Sequence, residues 1–156
     1  MRVYLGIPFY GGAGAEFVSA LLKTRVVFDR LGWDVEVDLH SGCSILPKAR
    51  NEIARRFLAS GFDVLLFIDS DMVWSPIDAV GLLQLRRDFA AVPYRAKTET
   101  EKFNCVVNRD KDGALLGADA VGTGFMALSR ACLERMVERY PETAYMEGET
   151  LTHALF

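Results

Sequence analysis

The segment Asp63-Val64-Leu65-Leu66-Phe67-Ile68-Asp69-Ser70-Asp71-Met72 places two carboxylates two residues apart, directly after five consecutive apolar residues. An apolar run without alternation is the mark of a central strand covered on both faces. Ligands of open α/β sheets bind beyond the carboxyl ends of the strands, which is where Asp69 and Asp71 would stand. Carboxylates at this spacing can share one hard cation or divide metal and hydroxyl contacts between them. Asp110-Lys111-Asp112 repeats the spacing, but it precedes Gly113 in a polar stretch that reads as a hairpin turn. With eleven aspartates in 156 residues, position and not pattern singles out the first pair.

The elements that must hold this pair follow from periodicity and punctuation. Residues 3–7 read as a strand ended by Pro8, and Gly11, Gly12 and Gly14 mark the loop after it. A helix is expected from Glu16 to Leu31 with Gly32 as its stop, and residues 35–39 alternate apolar and acidic like a strand with one wet face. Pro47 suits the first turn of a second helix, with Ala49, Ile53, Phe57 and Leu58 as its apolar stripe and Gly61 after it. Lys48, Arg50, Arg55 and Arg56 make its other face basic, and Arg55 and Arg56 read as solvated. Beyond the aspartate pair, the pattern predicts a helix from Pro76 to Arg87, a strand over 89–92, a hairpin turning at 108–113, a strand over 124–129 and a helix over 130–139. Strands alternating with helices indicate a three-layer, Rossmann-like α/β domain with a mixed, mostly parallel sheet, the later hairpin supplying the mixture.

Composition bounds the rest. A length of 156 residues, 51% hydrophobic and 25% charged, fits one folded domain over residues 1–156 and excludes disorder and coiled coil. The net charge of −3 offers no global positive field for nucleic acid or anionic membrane, so an anionic ligand must be held locally. No apolar run is long enough to span a bilayer, no signal peptide opens the chain, and a cytoplasmic location is expected. Cys43, Cys105 and Cys132 show no pairing or metal spacing and read as reduced, mostly buried thiols.

Three segments taken together, Ile45-Leu46-Pro47-Lys48-Ala49-Arg50-Asn51, Leu66-Phe67-Ile68-Asp69-Ser70-Asp71-Met72 and Val121-Gly122-Thr123-Gly124-Phe125-Met126, resemble in order and spacing the successive motifs of GT-A fold glycosyltransferases of the family 2-like type. The resemblance spans about residues 3–140. It implies a sheet that binds a UDP- or GDP-linked sugar, with Asp69-Ser70-Asp71 as a DxD motif holding Mn²⁺ or Mg²⁺ on the diphosphate, and transfer to a glycan, lipid or protein acceptor. By that analogy Asp71 is the direct metal ligand and Asp69 contacts ribose or metal-bound water. Pro8 and Tyr10 would meet the nucleoside, Arg50 and Asn51 would approach the nucleotide, and Gly122, Thr123 and Gly124 would close over donor and acceptor. Arg95 and Lys97 could reach a phosphate or an anionic acceptor, though solvated surface is the simpler reading.

The sequence departs from the family after its last helix. No acidic pair follows the glycine segment, so Glu147 and Glu149 are the remaining candidates for a general base and His153 for a further metal ligand, in what otherwise reads as a tail. Two other classes stay open. A binding or assembly module without turnover explains the missing base, and a haloacid-dehalogenase-type phosphatase would use Asp69 as nucleophile and Asp71 as acid/base. Gly12-Ala13-Gly14 with Glu36 and Asp38 hints at a dinucleotide fold, but Phe17 stands where the third glycine is needed. Self-association is open.

Overall fold

The structure is a computed structural model that describes residues 1–95, 102–109, 111–113 and 115–156. Its main sheet has five strands: β1 (Arg2–Phe9), β2 (Asp34–Ser41), β3 (Val64–Ile68), β4 (Phe89–Ala91) and β7 (Phe125–Ser129). They lie in the order β2-β1-β3-β7-β4, with β1 parallel to β2 and β3, and β7 antiparallel to β3 and β4. Helices α1 (Ala15–Arg30) and α3 (Pro76–Gln84) cover one face, and α2 (Leu46–Ala59) and α4 (Arg130–Arg139) cover the other. The fold is the expected three-layer, mixed α/β arrangement of Rossmann-like, GT-A type.

The apolar run of β3 feeds both layers because successive side chains point to opposite faces. Leu66 and Ile68 join Phe17, Phe28 and Leu82 on one side, while Leu65 and Phe67 join Ile53, Phe57 and Leu133 on the other. All four β3 residues from Leu65 to Ile68 are fully buried. Helix α2 sits close against β1 because residue 6 is glycine: a Cβ there would lie 2.5 Å from Ile53 Cγ2. Between α1 and α3, Trp74 Nε1 donates to the buried Thr24 hydroxyl at 2.8 Å and the indole meets Phe17 edge-on.

At the far end of α2, Arg130 closes the layer. Its guanidinium donates to the carbonyls of Phe57, Leu58, Ser60 and Phe62 at 2.7–3.0 Å and lies 4.7 Å from the Phe57 ring centroid. Those carbonyls include orphans of the last turn of α2, which need partners from outside the helix.

Several expectations are corrected. The hairpin of β5 (Cys105–Arg109) and β6 (Leu115–Val121) forms its own two-stranded sheet, so the reversed strand β7 is what mixes the main sheet. Helix α3 stops at Gln84 and not Arg87, because Arg86 adopts a left-handed φ of 49° that no glycine announces. The tail is a second hairpin, β8 (Ala144–Glu147) with β9 (Thr150–His153), preceded by a 3-10 turn at Pro141–Thr143. The cysteines are half-buried free thiols.

The acidic face of β2 is wet only at its start: Asp34 and Glu36 are exposed, but Asp38 is half-buried. Asp38 accepts from Tyr4 Oη at 2.8 Å and from Arg56 Nε at 2.7 Å, and Arg56 Nη2 also bonds Nδ1 of His40 at 3.0 Å. Val37 and Leu39 face outward instead, because β2 is the sheet edge and α1 covers only its start. Arg56 is therefore part of a half-buried network and not a solvated cation. Burial, followed by the bond to Asp38, holds the Tyr4 phenol well above its ordinary range.

Candidate functional site

The parallel register brings the ends of β1, β2 and β3 to one edge, and the pair Ile68 with Phe125 puts the start of β7 beside them. The segments after these strands, and the one before β7, must therefore meet. Asp69 N donates to Gly124 O at 2.9 Å, and Met72 N donates back to Asp69 O at 3.0 Å, so the two aspartates sit on a tight turn. Asp69 is half-buried and Asp71 is exposed at the turn's tip.

Asp69 is held by a buried cation. Arg50, only 6% exposed at its side chain, places Nη2 at 2.8 and 3.0 Å from the two Asp69 oxygens and 3.3 Å from Thr123 O. The buried Arg50 Nε has no hydrogen-bond partner among the described residues. Burial pushes the Asp69 carboxyl above the ordinary carboxylate value, Arg50 opposes this, and the Asp71 charge adds to the rise.

The turn separates two cavities. One, of about 190 Å³, is lined by Pro8, Tyr10, Cys43, Ser44 and Ser70 with both aspartates. The other, of about 410 Å³, is lined by Met72, Tyr94, Arg95 and Asn104 with both aspartates. Tyr10 is 71% exposed, its ring free to meet a planar ligand, whereas Pro8 is buried.

Tyr94 was not singled out by the sequence, yet it organises the second cavity. Its hydroxyl accepts from Gly124 N at 3.3 Å, and a Cβ on Gly122 or Gly124 would lie 2.6 or 2.9 Å from it. The two glycines thus make room for a tyrosine ring of the same chain. A Pro93-Tyr94 step after a short strand carries no signal of its own, since the contact joins residues about 30 positions apart.

The remaining candidates are placed elsewhere. Asn51 is buried and its Oδ1 accepts from the backbone amides of Leu155 and Phe156 at 2.9 and 3.0 Å, and it lines neither cavity. Glu147 pairs with Lys48 at 2.7 Å, Glu149 is exposed in the β8–β9 turn, and His153 is half-buried on β9. None of the three lines either cavity. Lys97 lies outside the described residues, as does Asp110.

The donor set bears on a cation. No group of three carboxylate, imidazole or thiol side chains able to enclose a metal exists among the described residues. Mg²⁺-type sites, however, take one or two protein carboxylates and complete their shell with waters and substrate phosphates. Asp71, with Asp69 beside it, fits that mode and no all-protein cage.

No family model matches this sequence, and no curated protein matches it. Among solved structures, the chain is similar to 4-diphosphocytidyl-2C-methyl-D-erythritol synthase from Anaerococcus prevotii, with a TM-score of 0.53 and 12% identity, over 95% of this chain and 78% of that one. At that identity the likeness shows a shared fold.

Proposed function

We propose that this chain binds a nucleoside-diphosphate sugar at the carboxyl edge of its sheet, with a divalent Mn²⁺ or Mg²⁺ held on Asp71, and transfers the sugar to an acceptor. The observation that carries this reading is the turn Asp69-Ser70-Asp71 standing between two cavities that both aspartates line. The cavity beside β1 takes the nucleoside, with Tyr10 against the base and Ser70 at the wall. The cavity beside Tyr94 takes the sugar and the acceptor. The similar synthase carries a diphosphocytidyl group in its name, which makes a nucleoside diphosphate a natural ligand for the fold.

Each residue has a physical task. Arg50 neutralises Asp69, fixes the turn against Thr123, and leaves its buried Nε as a donor aimed at no described group. Asp71 remains the outward carboxylate. A bound divalent cation supplies positive charge to a diphosphate leaving group, the place where charge grows during sugar transfer. Tyr94, which lines the sugar cavity, sets the position of the Gly122-Thr123-Gly124 segment packed against it.

A second reading, a module that binds the sugar nucleotide without transfer, is favoured by one observation. Asp69 and Asp71 are the only carboxylates among the described residues lining the two cavities, so among those residues no separate acidic general base faces them. Calorimetry with UDP, GDP and their sugar conjugates, with and without Mn²⁺, tests the binding step on wild type and Asp71→Ala. Metal-dependent binding lost in the variant is expected, and release of nucleoside diphosphate from the conjugate then separates transfer from mere binding. Absence of binding to every nucleotide removes both readings. Hydrolysis of a phosphomonoester that depends on Asp69 identifies a phosphatase instead.

A further inference from the structure

We infer that the cavity beside Tyr94 recognises a negatively charged group, a carboxylate or phosphate, on the compound that occupies it, and that Arg95 is the residue that reads this charge. The inference rests on the proposed donor site, whose sugar cavity it assigns to an anionic occupant.

Arg95 lies on this cavity's wall with Tyr94 and Asn104. Its guanidinium is exposed and forms no ion pair with any carboxylate among the described residues, although Asp69 and Asp71 line the same cavity. Asp69 is already matched by Arg50. Among the described residues the cation of Arg95 therefore has no carboxylate partner, and it stands on the wall that an entering group would meet.

The wall is built and not merely a surface. Asn104 N donates to Tyr94 O at 2.9 Å, Gly122 N donates to Asn104 O at 2.6 Å, and Arg95 pairs across an antiparallel bridge with Phe103. These bonds tie the backbone of residues 94–95, 103–104 and 122 into one short ladder, and Tyr94 Oη locks it to Gly124. A guanidinium presents its donors as a planar fork that matches a carboxylate or phosphate, and a backbone already ordered loses less entropy when it binds. The Asn104 side chain on the same wall adds an amide donor for the same group. An anion entering here also faces Asp71, so its binding is expected to strengthen when a divalent cation covers that carboxylate.

The charged group has two sources, the transferred sugar or the acceptor, and calorimetry distinguishes them. In the donor arm, UDP-glucuronic acid is compared with UDP-glucose in Mn²⁺. In the acceptor arm, glucose 6-phosphate and glucuronate are compared with glucose, with UDP and Mn²⁺ present and again on the protein alone. Wild type is expected to prefer the anionic compound in one arm by about tenfold or more, the scale of a hydrogen bond to a charged group. Arg95→Ala is expected to abolish that preference, and Arg95→Lys to restore part of it by charge without the fork. UDP without sugar should bind wild type and both variants alike. Nucleotide binding with no charge preference in either arm, or with a preference that survives Arg95→Ala, overturns the anionic cavity and leaves the donor site standing. Loss of nucleotide binding in wild type, with binding of glucose 6-phosphate to the protein alone that still needs Arg95, overturns the donor site and leaves the anionic cavity standing.

Discussion

Nη2 of Arg50 lies 2.8 Å from Oδ1 and 3.0 Å from Oδ2 of Asp69, and the same nitrogen reaches the Thr123 carbonyl at 3.3 Å. One buried cation thus joins the end of β3 to the loop before β7, and it matches the carboxylate that burial would otherwise leave without a partner. Replacing Arg50 by Met strands that carboxylate, at an expected cost of about 2–3 kcal/mol in urea unfolding. Asp69→Asn alone leaves the guanidinium unmatched. A double-mutant cycle with both changes should therefore show clear coupling, whereas additive losses would mean that the pair is not formed.

Gly122 and Tyr94 form the second relationship the site depends on. A Cβ on residue 122 would sit 2.6 Å from Tyr94 Oη, 2.8 Å from Tyr94 Cζ and 2.9 Å from Asn104 Cβ. Gly122→Ala is expected to lower stability by about 1–3 kcal/mol, as other overpacked sites do. It should also weaken binding of sugar nucleotides more than of the nucleoside diphosphate alone, because the sugar cavity is what moves. Adding Tyr94→Ala relieves the contact with the ring and should recover part of the thermal midpoint.

Arg130 gives a prediction about the scaffold. Its guanidinium serves four carbonyls at the end of α2 and in the loop to β3. Arg130→Ala removes the guanidinium from all four, and only Phe57 O keeps another donor, Ser60, so a cost of about 2–3 kcal/mol is expected. Arg130→Lys should recover little, since a single ammonium cannot span the fork's reach. Equal stability of the lysine variant and wild type in urea would show that charge and not geometry holds the helix end.

The acid limb of stability follows from carboxylates far from the site. The Arg2 side chain and amide hold the Asp63 carboxyl below its ordinary value of 3.8, and the Ser129 hydroxyl followed by Arg135 does the same to Asp88. In such cases the unfolded chain takes up the proton first as pH falls. Their contribution is complete above the ordinary value and is lost as pH drops through the lowered one. Asp69 runs the other way: its raised value favours the folded state at low pH, and that contribution fades as pH rises through it. The urea midpoint of wild type should fall below about pH 4, and Asp63→Asn should flatten the decline. Added salt should shrink the difference, since Asp63 is half exposed.

Much of this protein is legible in its sequence because local chemistry decides it. The unbroken apolar run 64–68 demands burial on both faces and becomes the centre of the sheet; Pro47 and Pro76 fall in first turns of helices; Asp69 and Asp71 follow the strand whose end opens between two cavities. The basic face of α2 is divided by the tertiary structure, with Arg50 buried beside Asp69 and Arg56 paired with Asp38. What the tertiary structure alone decided are the pairings between distant segments. Asn51 bonds backbone amides more than a hundred residues away, Arg56 meets Asp38 across two elements, and Tyr94 fills the space of two glycines some 30 residues on. The reversal of β7 is of the same kind, for a strand's direction depends on which neighbour it meets and not on its own residues. Periodicity reports which face of an element is buried, but not what waits on the other side; that is set only when the layers close.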